Sequence, residues 1–192
     1  QRAWNSLEEN HAALIKETCG ISSLELVKTR YAATLRFGEI KIENDQFKKN
    51  LRANENNITR TTLLALHAFN EAVDDSRLSK TELESYDTAL VAASTVGGMC
   101  LTDELYRDSN AEKDGSPYLA SYDCGFTALY LQHRYGIKGV VNSINTACSS
   151  SANAIMFGAR LIKNGFSKRA IVGGTDSLVK FTINGFNALN IL

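Results

Sequence analysis

An α/β fold is the class the sequence predicts, and three stretches carry that expectation. Thr88-Ala-Leu-Val-Ala-Ala-Ser94 is a continuous apolar run of strand length, which suits a strand covered on both faces. Residues 140–146, 151–164 and 169–174 read as strand, helix and strand, a βαβ unit. Ahead of both, Leu63, Leu64, Leu66, Phe69 and Val73 recur at helical spacing over 61–73. The 192 residues are 44% hydrophobic and 22% charged, an ordinary globular composition for one domain or a piece of a larger one.

The remaining elements follow in chain order. Trp4, Leu7, His11 and Leu14-Ile15 repeat at helical spacing and predict a helix within 1–20. Residues 21–31 carry a mixed pattern around Leu24, Leu26 and Tyr31, and Phe37-Gly-Glu-Ile-Lys-Ile42 alternates like a short strand or hairpin arm. Asp45 opens a short polar helix that ends in the loop 54–57, and Asp74-Asp75-Ser76 terminates the helix over 61–73. Ser79 and Glu82 have capping-box spacing for a short helical turn. After the apolar strand, the glycines of Val96-Gly97-Gly98 allow close backbone approach; without a G-x-G-x-x-G pattern they do not make a phosphate loop. A polar helix and the loop 108–116 come next. The only proline, Pro117, opens Pro117–Cys124, and a helix over 126–135 follows.

Bulk properties exclude several functions. Lys+Arg and Asp+Glu number 21 each, so no net field attracts nucleic acid or an anionic membrane. No apolar run reaches the ~18 residues of a membrane span, and no signal-peptide pattern is visible. The four cysteines, Cys19, Cys100, Cys124 and Cys148, show no C-x-x-C spacing and no histidine cluster. That argues against a metal site and a disulfide framework and fits a reducing, cytoplasmic compartment. His11, His67 and His133 read as ordinary helix histidines, and Cys124 as packing.

The chemistry concentrates at Cys148. A β-type segment precedes it; after it Ile155, Ala159 and Ile162 mark a helix at i, i+4 and i+7, with Gly165 placed as a C-cap glycine. The sulfur therefore falls at a strand-to-helix turn, where unpaired N–H groups and the positive end of the helix dipole draw a thiol toward thiolate. A buried structural cysteine is the competing reading. Ala147, Ser149, Ser150, Ser151, Ala152 and Ala154 are all small, so a substrate can approach. The helix 152–162 carries one charge, Arg160, which predicts burial on most sides and a deep nucleophile reached by a channel.

Asn145-Thr-Ala-Cys-Ser-Ser-Ser151, Gly158-Ala-Arg-Leu-Ile162, Ala170-Ile-Val-Gly-Gly-Thr-Asp176 and Gly185-Phe-Asn-Ala-Leu189 together resemble the condensing β-ketoacyl-acyl carrier protein synthases, including polyketide ketosynthases. Ser94-Thr-Val-Gly-Gly98 and Tyr135-Gly-Ile-Lys-Gly139 resemble them in the right order. The resemblance implies a thiolase-like fold, layered α/β/α/β/α, with residues 1–192 forming most of the first half, incomplete at both ends. It implies Cys148 as nucleophile, Val96 beside an acyl pocket, Phe186 as an aromatic wall near the sulfur, and Leu119 and Tyr122 at the tunnel's far end, contributed to the partner subunit. Asp176 matches a position that is often acidic, with a structural hydrogen-bonding role at least as well supported as a catalytic one.

The implied reaction is a decarboxylative Claisen condensation of an acyl-Cys enzyme with malonyl-acyl carrier protein, in fatty-acid or polyketide/polyene synthesis, with no cofactor. By the same resemblance, two catalytic histidines lie beyond Leu192, so the 192-residue piece alone is expected to be inactive. The strand 140–146 is expected at a sheet edge that builds a homodimer or ketosynthase heterodimer. The alternatives are a non-catalytic chain-length-determining dimer partner, which usually lacks the nucleophile, and a CoA-dependent thiolase-fold enzyme.

Overall fold

The computed structural model describes residues 6–111 and 113–192. It divides into two compact units: Ala53–Ser177, and a smaller one built from residues up to Arg52 together with Leu178–Leu192.

The larger unit is organised on three parallel strands, β1 (Thr88–Ala93), β2 (Val141–Ile144) and β3 (Arg169–Gly174), in the order β2-β1-β3. Leu90 lies opposite both Val141 and Ile171, and Ala93 opposite Ile144 and Gly174, so the three strands end level. Ala89 and Val91 of the central strand are fully buried. Their burial fits the apolar run, because crossover helices cover a parallel sheet on both sides. The pleat divides β1 between two faces. Ala89, Val91 and Ala93 pack on Ala154, Phe157 and Leu161 of α7 (Ser150–Lys163), while the cleft bordered by Leu90 and Ala92 is lined by Phe69 of α3 (Arg60–Ser76) and Leu131 of α6 (Phe126–Tyr135).

Which stripe of α7 is buried corrects the sequence reading. Ile155 and Ile162, with Ala159 between them, lie on the exposed side, at 58% and 44% for the two isoleucines. The buried stripe is Ala154, Gly158 and Leu161, one residue out of phase. Gly158 explains the choice: a Cβ there would sit 2.4 Å from Val172 Cγ1, so only a glycine lets the helix settle this close to β3. The helix ends as expected. Gly165 takes φ +75°, its N–H bonds Ile162 O (3.1 Å) and the Phe166 N–H bonds Leu161 O (2.9 Å), a Schellman closure.

Short elements follow their local chemistry. The turn α4 (Lys80–Leu83) is closed by both halves of a capping box, with the Glu82 N–H on Ser79 Oγ at 3.3 Å and the Ser79 N–H on Glu82 Oε2 at 3.0 Å. Helix α3 runs on through Asp74–Ser76 and stops at Arg77, which is left-handed. The polar helix after the glycines is α5 (Thr102–Ala111).

The smaller unit holds α1 (Leu7–Ile15), α2 (Asn44–Leu51) and α8 (Lys180–Ala188), and Leu24, Phe37 and Ile183 form a buried cluster in it. Trp4, part of the pattern that predicts the first helix, lies outside the described residues. The alternation over 37–42 yields no strand, only a bridge between Ser22 and Phe37. The reason is Glu39. Its side chain turns inward, 2% exposed, and accepts the N–H groups of Glu25 (2.7 Å), Leu26 (3.1 Å) and Val27 (2.9 Å), organising a loop where a hairpin was expected. Among the described residues no helix is long and apolar enough to cross a membrane.

Candidate active site

Strand β2 stops at Ile144, and the chain passes through a 3₁₀ turn, Ala147–Ser149, before α7 begins at Ser150. Cys148 is the middle residue of that turn, at the strand-to-helix junction where the β-type segment before it and the helical pattern after it put it. Ala147, immediately before it, has φ +52°. A non-glycine residue in the left-handed region costs roughly 1–2 kcal/mol, so the surrounding structure must hold it.

Hydroxyl groups do so. Ser150 Oγ donates to Ala147 O (2.7 Å) and accepts the Thr146 N–H (2.9 Å). Thr95 Oγ1 donates to the same Ala147 carbonyl at 3.1 Å. Ser149 Oγ donates to Thr146 O (2.8 Å), and Asn153 Nδ2 donates to Thr146 Oγ1 (2.7 Å). The serines that flank the cysteine are thus small for access and also stitch the turn to the helix.

The depth of the sulfur differs from expectation. Cys148 is exposed, as are Ala147 and Ser149, because α7 buries one stripe and leaves the turn at its head open. No acidic side chain lies in the first turn of α7, and Arg160 and Lys163 lie in its last. Charge along the helix therefore follows the dipole.

The loop after β1 faces this turn. One oxygen of Asp176, Oδ1, accepts three hydrogen bonds: from Ser94 Oγ (2.8 Å), the Thr95 N–H (2.9 Å) and the Val96 N–H (2.9 Å). Ser94 Oγ in turn accepts the Gly97 N–H at 2.9 Å. Val96 is buried, 6% exposed, next to the threonine that touches Ala147. Gly98 lies against the Tyr122 segment: its N–H bonds Tyr122 O (3.0 Å), and a Cβ on it would fall 2.4 Å from Tyr122 Cα. The loop Ser94–Gly98 thus contacts both the Ala147 end of the Cys148 turn and the Tyr122 segment. Leu119 is 73% exposed, and Phe186 lies on α8 in the smaller unit.

The other sequence candidates take structural places. Cys124 accepts from Asn145 Nδ2 (3.4 Å) and lies 3.6 Å from Thr95 O, and burial raises its thiol pKa. Cys100 sits in the 3₁₀ turn Met99–Leu101, where burial pushes its thiol up. His11 and His133 are exposed and His67 is half-buried on α3. Among the described residues no group of three His, Cys, Asp or Glu side chains could hold a metal ion. The residues sequence reasoning missed are Ser94 and Thr95. A hydroxyl pair at the end of a buried strand, beside a parallel strand that ends in Gly-Gly and runs on into Thr-Asp, was the available signal.

A family model described as the β-ketoacyl synthase N-terminal domain matches residues 3–192. The chain belongs to that family. This β-ketoacyl synthase domain is 28% identical to the 3-oxoacyl-[acyl-carrier-protein] synthase 2 of Synechocystis, over 91% of the chain and 42% of the relative. It is also 28% identical to the probable polyketide synthase 10 of Dictyostelium discoideum, over 100% of the chain and 8% of that much longer protein. It spans less than half the length of both. Among solved structures it superposes on the ishigamide ketosynthase/chain length factor with a TM-score of 0.83 at 18% identity, covering 96% of the chain and 47% of the other. A ketosynthase in complex with its chain length factor from Xenorhabdus doucetiae matches with a TM-score of 0.70 at 25% identity, over 98% and 48%. The fold is the thiolase-like α/β fold of ketosynthases.

Proposed function

We propose that the full-length protein is a β-ketoacyl-acyl carrier protein synthase of fatty-acid or polyketide/polyene synthesis, with Cys148 as its nucleophile. The observation that carries this reading is the turn itself: an exposed cysteine at a strand-to-helix junction, behind a left-handed Ala147 held by two hydroxyls.

The chemistry follows from a nucleophilic sulfur at that point. The Cys148 thiolate attacks the carbonyl of an acyl-carrier thioester, the tetrahedral oxyanion collapses, and the carrier thiolate leaves, giving an acyl-enzyme. A malonyl-carrier thioester then loses CO2. The electron pair of the broken C–C bond attacks the acyl-Cys carbonyl, and the Cys148 thiolate departs as the 3-ketoacyl carrier forms. Both additions raise an oxyanion, and the Cys148 N–H is the candidate donor from this chain. Val96 would lie beside the acyl pocket, and Leu119 and Tyr122 would line the far end of the partner subunit's acyl tunnel.

The partners of this reading are an acyl carrier protein and a second ketosynthase-type subunit, paired along β2. That strand lies at one edge of the three-stranded sheet, and Val140 beside it is 38% exposed. An edge of this kind is open to pairing with another chain. A reducing, cytoplasmic setting fits Cys19, Cys100, Cys124 and Cys148, which are all free thiols.

Mass spectrometry of the full-length protein incubated with acyl-carrier thioester or acyl-CoA, in wild type and Cys148→Ala, tests the reading. An acyl adduct at Cys148 from the carrier and not from CoA is expected. Acylation from CoA alone would indicate a CoA-dependent enzyme of this fold, and no adduct from either donor would point to a non-catalytic chain-length partner.

A further inference from the structure

We propose that Asp176 and Thr95 are positioning residues that aim the Cys148 N–H as an oxyanion donor. The inference rests on Cys148 being the acyl-accepting nucleophile.

The path can be followed bond by bond. Strands β1 and β3 are parallel neighbours that end level, with Ala93 opposite Gly174. Asp176, two residues past β3, therefore meets the loop that leaves β1. Its Oδ1 gathers Ser94 Oγ and the N–H groups of Thr95 and Val96 at 2.8, 2.9 and 2.9 Å, which fixes the backbone of Thr95. With that backbone fixed, the Thr95 hydroxyl reaches Ala147 O at 3.1 Å and stands 3.3 Å from Ser150 Oγ. Ser150 Oγ donates to the same carbonyl at 2.7 Å.

What the carbonyl does next is set by covalent geometry. Ala147 C=O and Cys148 N–H belong to one planar trans peptide, so the N–H points opposite to the C=O. A carbonyl that accepts two hydroxyls and the Ser150 N–H holds that N–H aimed the other way. Ala147 is also the left-handed residue, φ +52°, the place where this peptide would otherwise relax. Neither Asp176 nor Thr95 needs to touch substrate.

A donor aimed at an oxyanion matters only to reactions that make one. Two reactions of the same sulfur separate that role from simple support: attack on an acyl thioester or on p-nitrophenyl acetate passes through a tetrahedral oxyanion, and alkylation by iodoacetamide does not. In the full-length protein, Thr95→Val should lower the rate constant for Cys148 acylation by both acyl donors about tenfold, with half-saturation moved less than about twofold. Alkylation of Cys148 should stay within about twofold of wild type, since no oxyanion forms there. Thr95→Ser, which keeps the hydroxyl, should restore acylation. Asp176→Ala should resemble Thr95→Val, Asp176→Asn should recover part of the loss, and adding Asp176→Ala to Thr95→Val should cost little more. If Asp176→Ala does not fold, the Thr95 pair carries the test alone.

The proposal is overturned if Thr95→Val acylates like wild type, if alkylation falls in step with acylation, or if p-nitrophenyl acetate leaves no acetyl group on wild-type Cys148. Failure of the carrier thioester alone, with the activated ester still reacting at Cys148, would instead refute the assigned substrate and leave the positioning test intact.

Discussion

Cys148 and Cys100 stand at the same kind of address and differ in almost everything that decides reactivity. Each is the middle residue of a 3₁₀ turn, Ala147–Ser149 and Met99–Leu101, and each turn runs straight into a helix, α7 and α5. Cys100 has a further helix start beside it, since the backbone at Arg60, first residue of α3, hydrogen-bonds its sulfur. If a helix N-terminus sufficed to charge a thiol, Cys100 would be the better nucleophile. Burial works against it, pushing its thiol pKa up and outweighing the Arg60 backbone and the Ser177 hydroxyl, with Glu104 adding to the rise. The first turn of α5 carries Asp103 and Glu104, and that of α7 carries no acid. Burial sets Cys100 apart from a sulfur that secondary structure treats alike and that lies exposed.

The largest expected effect breaks the pair apart. Cys148→Ala in the full-length protein should lower acyl transfer from a carrier thioester by at least ~1000-fold, the scale of losing a covalent nucleophile. Cys100→Ala should leave the transfer within about threefold and show its effect in thermal stability. Equal losses in the two variants, measured as adduct formation against time, would erase the distinction.

Next in size is direct reactivity. Iodoacetamide at mildly alkaline pH should modify Cys148 roughly ten times faster than Cys100, since the thiolate is the nucleophile and Cys100 is kept protonated and covered. Peptide mapping after timed quenching reads both sites in one sample. Comparable rates would mean that the turn around Cys100 opens readily.

Much of the frame behind this contrast was legible from residue order alone. The apolar run of β1, the helix Phe126–Tyr135, the strand Arg169–Gly174 and the capping box at Ser79 and Glu82 stand where periodicity and cap chemistry put them. Those signals are local, and local chemistry fixes them. The misses share a different origin. Glu39 gathers three N–H groups more than ten residues away, Gly158 chooses the buried face of α7 by its approach to Val172, and Asp176 meets a loop some 80 residues earlier. A sequence pattern shows that α7 is amphipathic enough to pack, but its phase depends on where a missing Cβ lets a strand come closest. The strand-to-helix turn that holds Cys148 was legible and its supports were not, because serine and threonine advertise neither donor nor target until two parallel strands end side by side.

The middle-sized effect tests that phase. Gly158→Ala places a methyl 2.4 Å from Val172 Cγ1 and 3.3 Å from Ala170 Cβ, so α7 must lift from the sheet. Overpacking of this kind costs typically about 1–3 kcal/mol, read as a lower midpoint in denaturant. Because α7 carries the Cys148 turn at its head, acylation should fall several-fold as well, with Cys100 alkylation little changed. A variant as stable and as active as wild type would mean that the contact yields without moving the helix.

The smallest effect sharpens the other half of the comparison. Cys100 holds its proton more tightly folded than unfolded, above its ordinary value of 9.0. As pH rises through that value, the unfolded chain releases the proton first, so stability present below about pH 9 should be lost progressively above it. Cys100→Ala should flatten that part of the stability curve, measured by denaturant unfolding at a series of alkaline pH values. Burial is the larger cause of the shift and the Glu104 charge a minor one. Glu104→Gln should therefore speed Cys100 alkylation by less than about threefold and leave Cys148 alone. A tenfold gain would make charge, and not burial, the term that silences Cys100, and the contrast with Cys148 would then rest on the acids of α5.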